Sequence, residues 1–160
     1  MEKFELLSQI KEILIKNNLT LSSAESCTGG LISSYLTDID GASAFIFQNF
    51  VTYSNNAKEK FLNVSNKTLE KFGAVSEQTA REMTLGLLNY STCSIATTGI
   101  LGPTGGSKEK PVGLVYIGLG YKNKIKVIKY ISKKTTRYDI KVDIVEVALN
   151  ELLNFLKSEV

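Results

Sequence analysis

The chain has 160 residues, 43% of them hydrophobic and 22% charged, a composition that suits one globular domain with a core of its own. Its 19 basic and 16 acidic residues leave a net charge of +3, spread along the chain, which argues against a nucleic-acid binder and leaves room for a small anionic ligand. There is no histidine, so Ser-His-Asp and Cys-His catalysis are excluded, and any nucleophile must draw its base from Lys, Tyr or a carboxylate.

Phe4, Leu7, Ile10 and Leu14 recur at helical spacing, and Asn17-Asn18 ends the pattern. Leu19 to Ser23 is a short β-prone run. Gly29-Gly30 then opens a second helix, to about Leu36, and Asp38 to Gly41 is a turn. Phe45 to Tyr53, rich in aromatic and branched residues, reads as a strand. Ser54-Asn55-Asn56 caps a short helix carrying Ala57, Lys58 and Phe61.

Thr68 to Phe72 is a helical turn closed by Gly73. Ser76 is the N-cap of a helix running to about Tyr90, with Glu77 in its first turn and Val75 stapled onto Ala80. Cys93 to Thr97 has the composition of a buried strand, and Gly99 to Gly106 is a glycine-rich loop. Val112 to Tyr121 and Lys124 to Ile131 form a hairpin about Lys122-Asn123. From Thr136 the chain is helical, with Ile140, Ile144, Ala148, Leu152 and Phe155 on one face.

The order α-β-α-β-α-α-β-β-β-α implies a sheet covered on both faces, and the hairpin makes that sheet mixed. Residues 1–160 read as a single domain, without linker or repeat. Cys27 and Cys93 lack metal-ligand spacing, so no metal is expected. Sparse cysteine, an amphipathic rather than signal-like N-terminus and the lack of a membrane-length apolar run point to the cytoplasm and away from a membrane partner.

The segment Ala24-Glu25-Ser26-Cys27-Thr28-Gly29-Gly30 is the densest source of chemistry. A strand that breaks into two glycines and a helix builds an oxyanion or anion site, because free N–H groups at the helix start point at negative charge. Two candidate nucleophiles, Ser26 and Cys27, sit on this turn; as neighbours, at most one faces a ligand. Tyr53 and Lys58 flank a strand-to-helix junction. A buried lysine near a serine hydroxyl, acting directly or through a tyrosine, can take the attacking proton.

The loop Thr98 to Gly106, with Gly99, Gly102, Gly105 and Gly106, matches neither a P-loop nor a dinucleotide fingerprint. Arg137 can grip a phosphate with its planar fork. Ser107-Lys108-Glu109-Lys110 mimics the S-x-x-K string of serine acyl-transferases, but it lies between two glycines and Pro111, where the required helical turn is not expected.

Taken in order, Ala24 to Gly30, Phe50-Val51-Thr52-Tyr53-Ser54-Asn55 with Lys58, Gly73-Ala74-Val75-Ser76-Glu77, Gly99 to Gly106 and Lys110-Pro111-Val112-Gly113 resemble the C-terminal domain of the CinA family. That family includes stand-alone nicotinamide-nucleotide amidohydrolases. The resemblance implies an α/β fold, a three-layer α/β/α sandwich on a mixed central sheet. It implies hydrolysis of the carboxamide of nicotinamide mononucleotide to nicotinic acid mononucleotide and ammonia, without cofactor or metal, in the recycling of pyridine nucleotides.

On the same resemblance Ser26 is the nucleophile, Tyr53 and Lys58 complete a Ser-Lys-Tyr set, and Thr28, Gly29, Gly30, Thr98, Gly99, Gly102, Gly105, Gly106 and Arg137 bind substrate. Thr98, Leu101 and Lys141 stand where a serine, an alanine and a second arginine are more usual. The partner expected is a small-molecule nucleotide, and exposed apolar helix faces could support a homodimer. The rival readings are a non-catalytic nucleotide-binding module and an amidase for another substrate.

Overall fold

In the computed structural model, which describes residues 1–160, the elements are α1 (Lys3–Lys16), β1 (Leu21–Glu25), α2 (Leu31–Leu36), β2 (Ile46–Val51), α3 (Asn55–Leu62), α4 (Asn66–Phe72), α5 (Glu77–Leu87), β3 (Cys93–Gly99), β4 (Leu114–Tyr121), β5 (Lys124–Ile131) and α6 (Arg137–Glu159). A 3-10 turn, Ala42–Ala44, leads into β2. The strands form one sheet in the order β2-β1-β3-β4-β5. β1 is parallel to both β2 and β3, and β4 and β5 are antiparallel. The expected mixed sheet and hairpin are thus present.

Two apolar layers clamp the sheet. On one face α1, α2 and α6 bury a cluster of 25 residues, with Leu7, Ile10 and Leu14 meeting Ile144, Ala148 and Leu152. On the other, Leu62, Leu69, Met83 and Leu87 of α3 to α5 close over Ala24 and Ala96. α6 carries more than one apolar face, since Val145, Leu149, Leu153 and Leu156 are buried as well. No helix is long and apolar enough to cross a membrane.

The structure moves several boundaries. β1 starts two residues later than its β-propensity indicates and runs to Glu25, which brings the strand directly up to Ser26. Asn66–Phe72 is a full helix rather than a turn, so three helices stand between β2 and β3. α5 ends at Leu87 rather than near Tyr90. Phe4 leaves the apolar stripe of α1: it lies in the first turn, exposed, and Leu6 is buried instead.

The chain passes from β1 to β2 on one side, and the connection that leaves β2 then crosses to β3 on the other side of β1. In an open sheet such a switch point opens a crevice at the carboxyl ends of the strands. Glu25 pairs in register with both Val51 and Thr97. The residues that follow, Ser26, Thr52 and Thr98, therefore emerge side by side at that edge.

Candidate active site

Ser26 is the first residue beyond β1, held there by its N–H donating to the Thr97 carbonyl (3.1 Å). It is not a helix cap. The N-cap of α2 is Gly30, which has φ +105°, a conformation open to glycine and unfavourable for other residues. Ser26 to Gly29 form a four-residue turn closed by the Gly29 N–H, which donates to the Ser26 carbonyl (3.1 Å). The N–H groups of Thr28 and Gly30 have no main-chain partner.

Lys58 reaches this turn from α3. Ser54 caps that helix by accepting from the Ala57 N–H (3.1 Å). Lys58 and Leu62, one turn apart, are the buried residues of α3. Phe50 of β2 stacks at 5.8 Å, tilted, on Phe61 of α3, which fixes the helix against the sheet. The lysine is fully buried, and its Nζ lies 3.0 Å from Ser26 Oγ, 2.8 Å from the Thr52 carbonyl and 3.3 Å from the Tyr53 carbonyl. No carboxylate pairs with it. Burial pushes its ammonium down from the usual 10.5 to about 8. A neutral lysine has two N–H donors and a lone pair. Here the two carbonyls accept the donors, and the lone pair is left for the Ser26 hydroxyl proton.

Cys27 behaves differently. Its side chain is buried within the larger apolar cluster, and burial pushes its thiol up to about 12. A thiol so protonated is a poor nucleophile. Of the adjacent pair, Ser26 is the residue whose reactive atom meets a base.

The turn is organised by Glu25, a role that composition and motif alone do not assign. Its carboxylate, fully buried, accepts from the Thr28 hydroxyl (2.7 Å), the Ile32 N–H (2.7 Å), the Ser33 N–H (3.0 Å) and the Ser33 hydroxyl (2.7 Å). Thr28 Oγ1 also lies 2.9 Å from Thr97 Oγ1 on β3. The signal in the sequence is an acidic residue just past the end of a β-prone run, directly before the candidate nucleophile.

The opposite wall comes from two loops. Thr98 Oγ1 donates to the Ala74 carbonyl (2.7 Å), while Ser76 Oγ and Thr79 Oγ1 both donate to the Gly73 carbonyl (3.0 and 2.7 Å). These bonds hold Ala74 and Val75 against the cavity, two lining residues that belong to a quoted motif block but to which the sequence assigns no binding role. In the glycine loop Gly102 has φ +79°, and a Cβ there would come within 2.4 Å of Val112, so a larger residue cannot make this bend. Arg137, the first residue of α6, bridges the mouth: one guanidinium nitrogen donates to the Gly102 carbonyl (2.7 Å) and the other to the Tyr53 hydroxyl (3.3 Å).

Ser26, Tyr53, Lys58, Thr98, Gly99, Gly102, Gly105 and Arg137 line one cavity of about 270 Å³. Thr28, Gly29, Gly30 and Gly106 do not line it. Thr28 and Gly29 shape the Ser26 turn, and Gly106 packs so tightly on Val112 that a Cβ would meet its main-chain nitrogen at 2.9 Å. Tyr53 is mostly exposed and meets Lys58 through its carbonyl, its hydroxyl being turned to Arg137. Lys141, one turn along α6 from Arg137, reaches towards Gly29. No His, Asp or Glu side chain lines the cavity. Leu101 lines it while packing into the core. Ser107 and Lys110 are not on a helix, and Lys110 Nζ donates to the Phe72 carbonyl (2.6 Å), so the S-x-x-K string is not a catalytic pair. Larger concavities lie along α1 and α6; in the one that holds a serine, the exposed Ser8 of α1, Lys11 Nζ is engaged with the Asp40 carbonyl (2.7 Å).

The model of the CinA C-terminal domain family matches residues 3–156. The chain is similar to a CinA-like protein of Fusobacterium nucleatum, 50% identical over 142 residues, which is 89% of this chain and 35% of that protein. It is also similar to a CinA-like protein of Chlorobium chlorochromatii, 44% identical over 152 residues, 93% of this chain and 36% of that one. The chain spans about a third of the length of the curated relatives it matches. Among solved structures, the competence/damage inducible protein CihA of Agrobacterium tumefaciens superposes with a TM-score of 0.89 at 43% identity, covering 94% of each chain.

Proposed function

The chain belongs to the CinA C-terminal domain family, and on that footing we propose that it hydrolyses the carboxamide of nicotinamide mononucleotide to nicotinic acid mononucleotide and ammonia. One observation carries the reading beyond the family: a buried, uncompensated Lys58 Nζ lies 3.0 Å from Ser26 Oγ. A binding module has no use for a lysine whose proton is loosened by burial beside a serine hydroxyl.

Neutral Lys58 takes the Ser26 hydroxyl proton as Oγ bonds to the amide carbon, and the carbonyl oxygen becomes an oxyanion. The Cys27 N–H, which has no main-chain partner and belongs to a cavity-lining residue, is the candidate donor to that oxygen. When the tetrahedral centre collapses the C–N bond breaks, and Lys58 returns the proton to the leaving nitrogen, which departs as ammonia. Water then attacks the acyl-enzyme ester, giving its proton to Lys58, which passes it to Ser26 Oγ as that oxygen leaves. Lys58 is the base without an intermediary, since the Tyr53 hydroxyl faces Arg137. Arg137 and Lys141 give the mouth the positive charge that a phosphate-bearing substrate needs, and the cavity takes the amide-bearing ring.

The test is ammonia release from nicotinamide mononucleotide by the purified protein beside Ser26→Ala. Release by the wild type that the variant loses supports the reading. Nucleotide bound with no ammonia released refutes it and leaves the binding module. Release from other amides but not this one leaves the amidase and changes its substrate.

A further inference from the structure

Glu25 is a buried carboxylate without a cation. Taking such a charge out of water is costly, and stability alone is weakly served by it. A short helix is capped more simply by a serine or aspartate at the N-cap, yet that position is Gly30, with no side chain to offer. The capping oxygens come instead from the last residue of β1, across a turn that contains Ser26.

We infer that Glu25 is the positioning residue of this site, holding Ser26 Oγ against Lys58 Nζ; the inference rests on the reading of Ser26 as nucleophile. Its side chain fixes both ends of the turn: Oε1 accepts from Thr28 within it and from Ile32 beyond it, and Oε2 accepts twice from Ser33. Its main chain fixes the base. The Glu25 carbonyl accepts from the Thr52 N–H (2.9 Å), and the Thr52 carbonyl accepts from Lys58 Nζ (2.8 Å). One residue thus joins the nucleophile's turn to the loop that holds the lysine. Each carboxylate oxygen faces a main-chain N–H, a group that cannot become an acceptor. Glutamine, although isosteric, must direct its NH₂ at one of them. The turn then shifts, and a displacement on the order of 1 Å at a reacting atom costs about 10²-fold in rate.

The experiment compares wild type, Glu25→Gln and Ser33→Ala, with Ile144→Val and Ile144→Ala in the remote core as stability controls. Two readouts are taken at a temperature where circular dichroism shows every variant folded. One is kcat and KM for ammonia release from nicotinamide mononucleotide. The other is the second-order rate at which a fluorophosphonate labels Ser26, which needs no amidase activity. The expected result is a fall of about 10²-fold in kcat and in labelling for Glu25→Gln with little change in KM, a smaller fall for Ser33→Ala, and none for the Ile144 variants.

Rates for Glu25→Gln within threefold of wild type would overturn the inference, as would losses that merely track the denaturation midpoint across all variants. If Glu25→Gln fails to fold, Ser33→Ala decides: labelling at the wild-type rate overturns the inference. A wild type that labels at Ser26 but releases no ammonia refutes the proposed substrate and leaves the Glu25 comparison intact.

Discussion

Lys58 Nζ stands 3.0 Å from Ser26 Oγ across a sequence separation of 32 residues. The two belong to different layers of the molecule. Ser26 directly follows β1, and Lys58 lies on the inner face of α3, whose connection to the sheet is the three-residue junction from Thr52 to Ser54. The pair exists because β1 and β2 are parallel neighbours, so that the strand ends carrying the turn and the junction lie together. Burial keeps water from competing for the amine and loosens its proton.

The pH dependence follows from that burial. The active form of a general base is the deprotonated one, so kcat/KM for the amide substrate rises with pH through an apparent pKa of about 8 and levels off above it. Lys58→Arg, which stays protonated throughout, removes activity at every pH. A flat profile between pH about 6 and about 10 would show that another group is the base.

The nucleophile assignment separates two adjacent residues. Ser26→Ala lowers kcat by several orders of magnitude. Cys27→Ala, which removes a thiol already held protonated by burial, leaves kcat within a few-fold and registers as a loss of stability from the small cavity it opens. Steady-state kinetics and urea denaturation on the two variants measure both effects, and the opposite pattern would transfer the role to Cys27.

Lys58 also carries a stability signature. Its folded pKa, about 8, lies below the ordinary 10.5 of the unfolded chain. Below pH about 8 both states hold the proton, and the fold bears the full penalty of a buried charge. Between the two values the folded state releases the proton while the unfolded state keeps it, so stability rises with pH. The shift corresponds to roughly 3 kcal/mol. Wild type should therefore gain up to about that much relative to Lys58→Met between pH about 7 and pH about 10.5, read as the difference between their urea-denaturation free energies. A difference that does not change with pH would mean that Lys58 titrates as an exposed lysine.

The sequence carried the helix-strand alternation because each element advertises its period: β5 alternates exposed lysines with half-buried Ile125, Val127 and Ile128, and its bounds match the reading from sequence. Ser76 and Ser54 were legible as caps because the chemistry of a cap is local, and both accept the expected N–H. What stayed hidden is non-local. β1 reads as ending at Ser23, since Ala24 and Glu25 have low β-propensity, yet pairing on both sides with β2 and β3 carries it to Glu25. Three of the four hydrogen bonds to Glu25 join residues seven or eight apart that no motif spacing relates. The orientation of Tyr53, outward to Arg137 rather than towards Lys58, likewise depends on an α6 residue 84 positions away.

Arg137 tests the substrate's charge. Its guanidinium already holds the Gly102 carbonyl and the Tyr53 hydroxyl, which aims the fork across the cavity mouth. A charge-assisted hydrogen bond contributes about 1.5–3 kcal/mol, so Arg137→Ala should raise KM for the mononucleotide by roughly 10- to 100-fold with a smaller change in kcat. The dephosphorylated nucleoside should show no such difference between the two proteins. Equal losses on both compounds would mean that Arg137 shapes the glycine loop and does not meet a phosphate.

Gly86 links packing to the site. It lies inside α5, where helix propensity alone makes alanine better by about 1 kcal/mol. The tertiary structure reverses the sign: a Cβ on Gly86 would lie 2.0 Å from the Leu62 carbonyl oxygen and 2.7 Å from its carbon, main-chain atoms that cannot rotate aside. Leu62 ends α3, the helix that carries Lys58 one turn earlier. Relieving the clash must move α5 away from the sheet or α3 along its axis, and overpacking of this kind costs about 1–3 kcal/mol. Gly86→Ala should therefore destabilise the protein. It should also lower kcat more than KM, because a shift of α3 carries Lys58 Nζ off Ser26 Oγ. Urea denaturation and steady-state kinetics on this one variant read both consequences; a gain in stability would show that α5 and α3 do not meet this closely, and lost stability with kcat intact would show that α3 yields without moving its lysine.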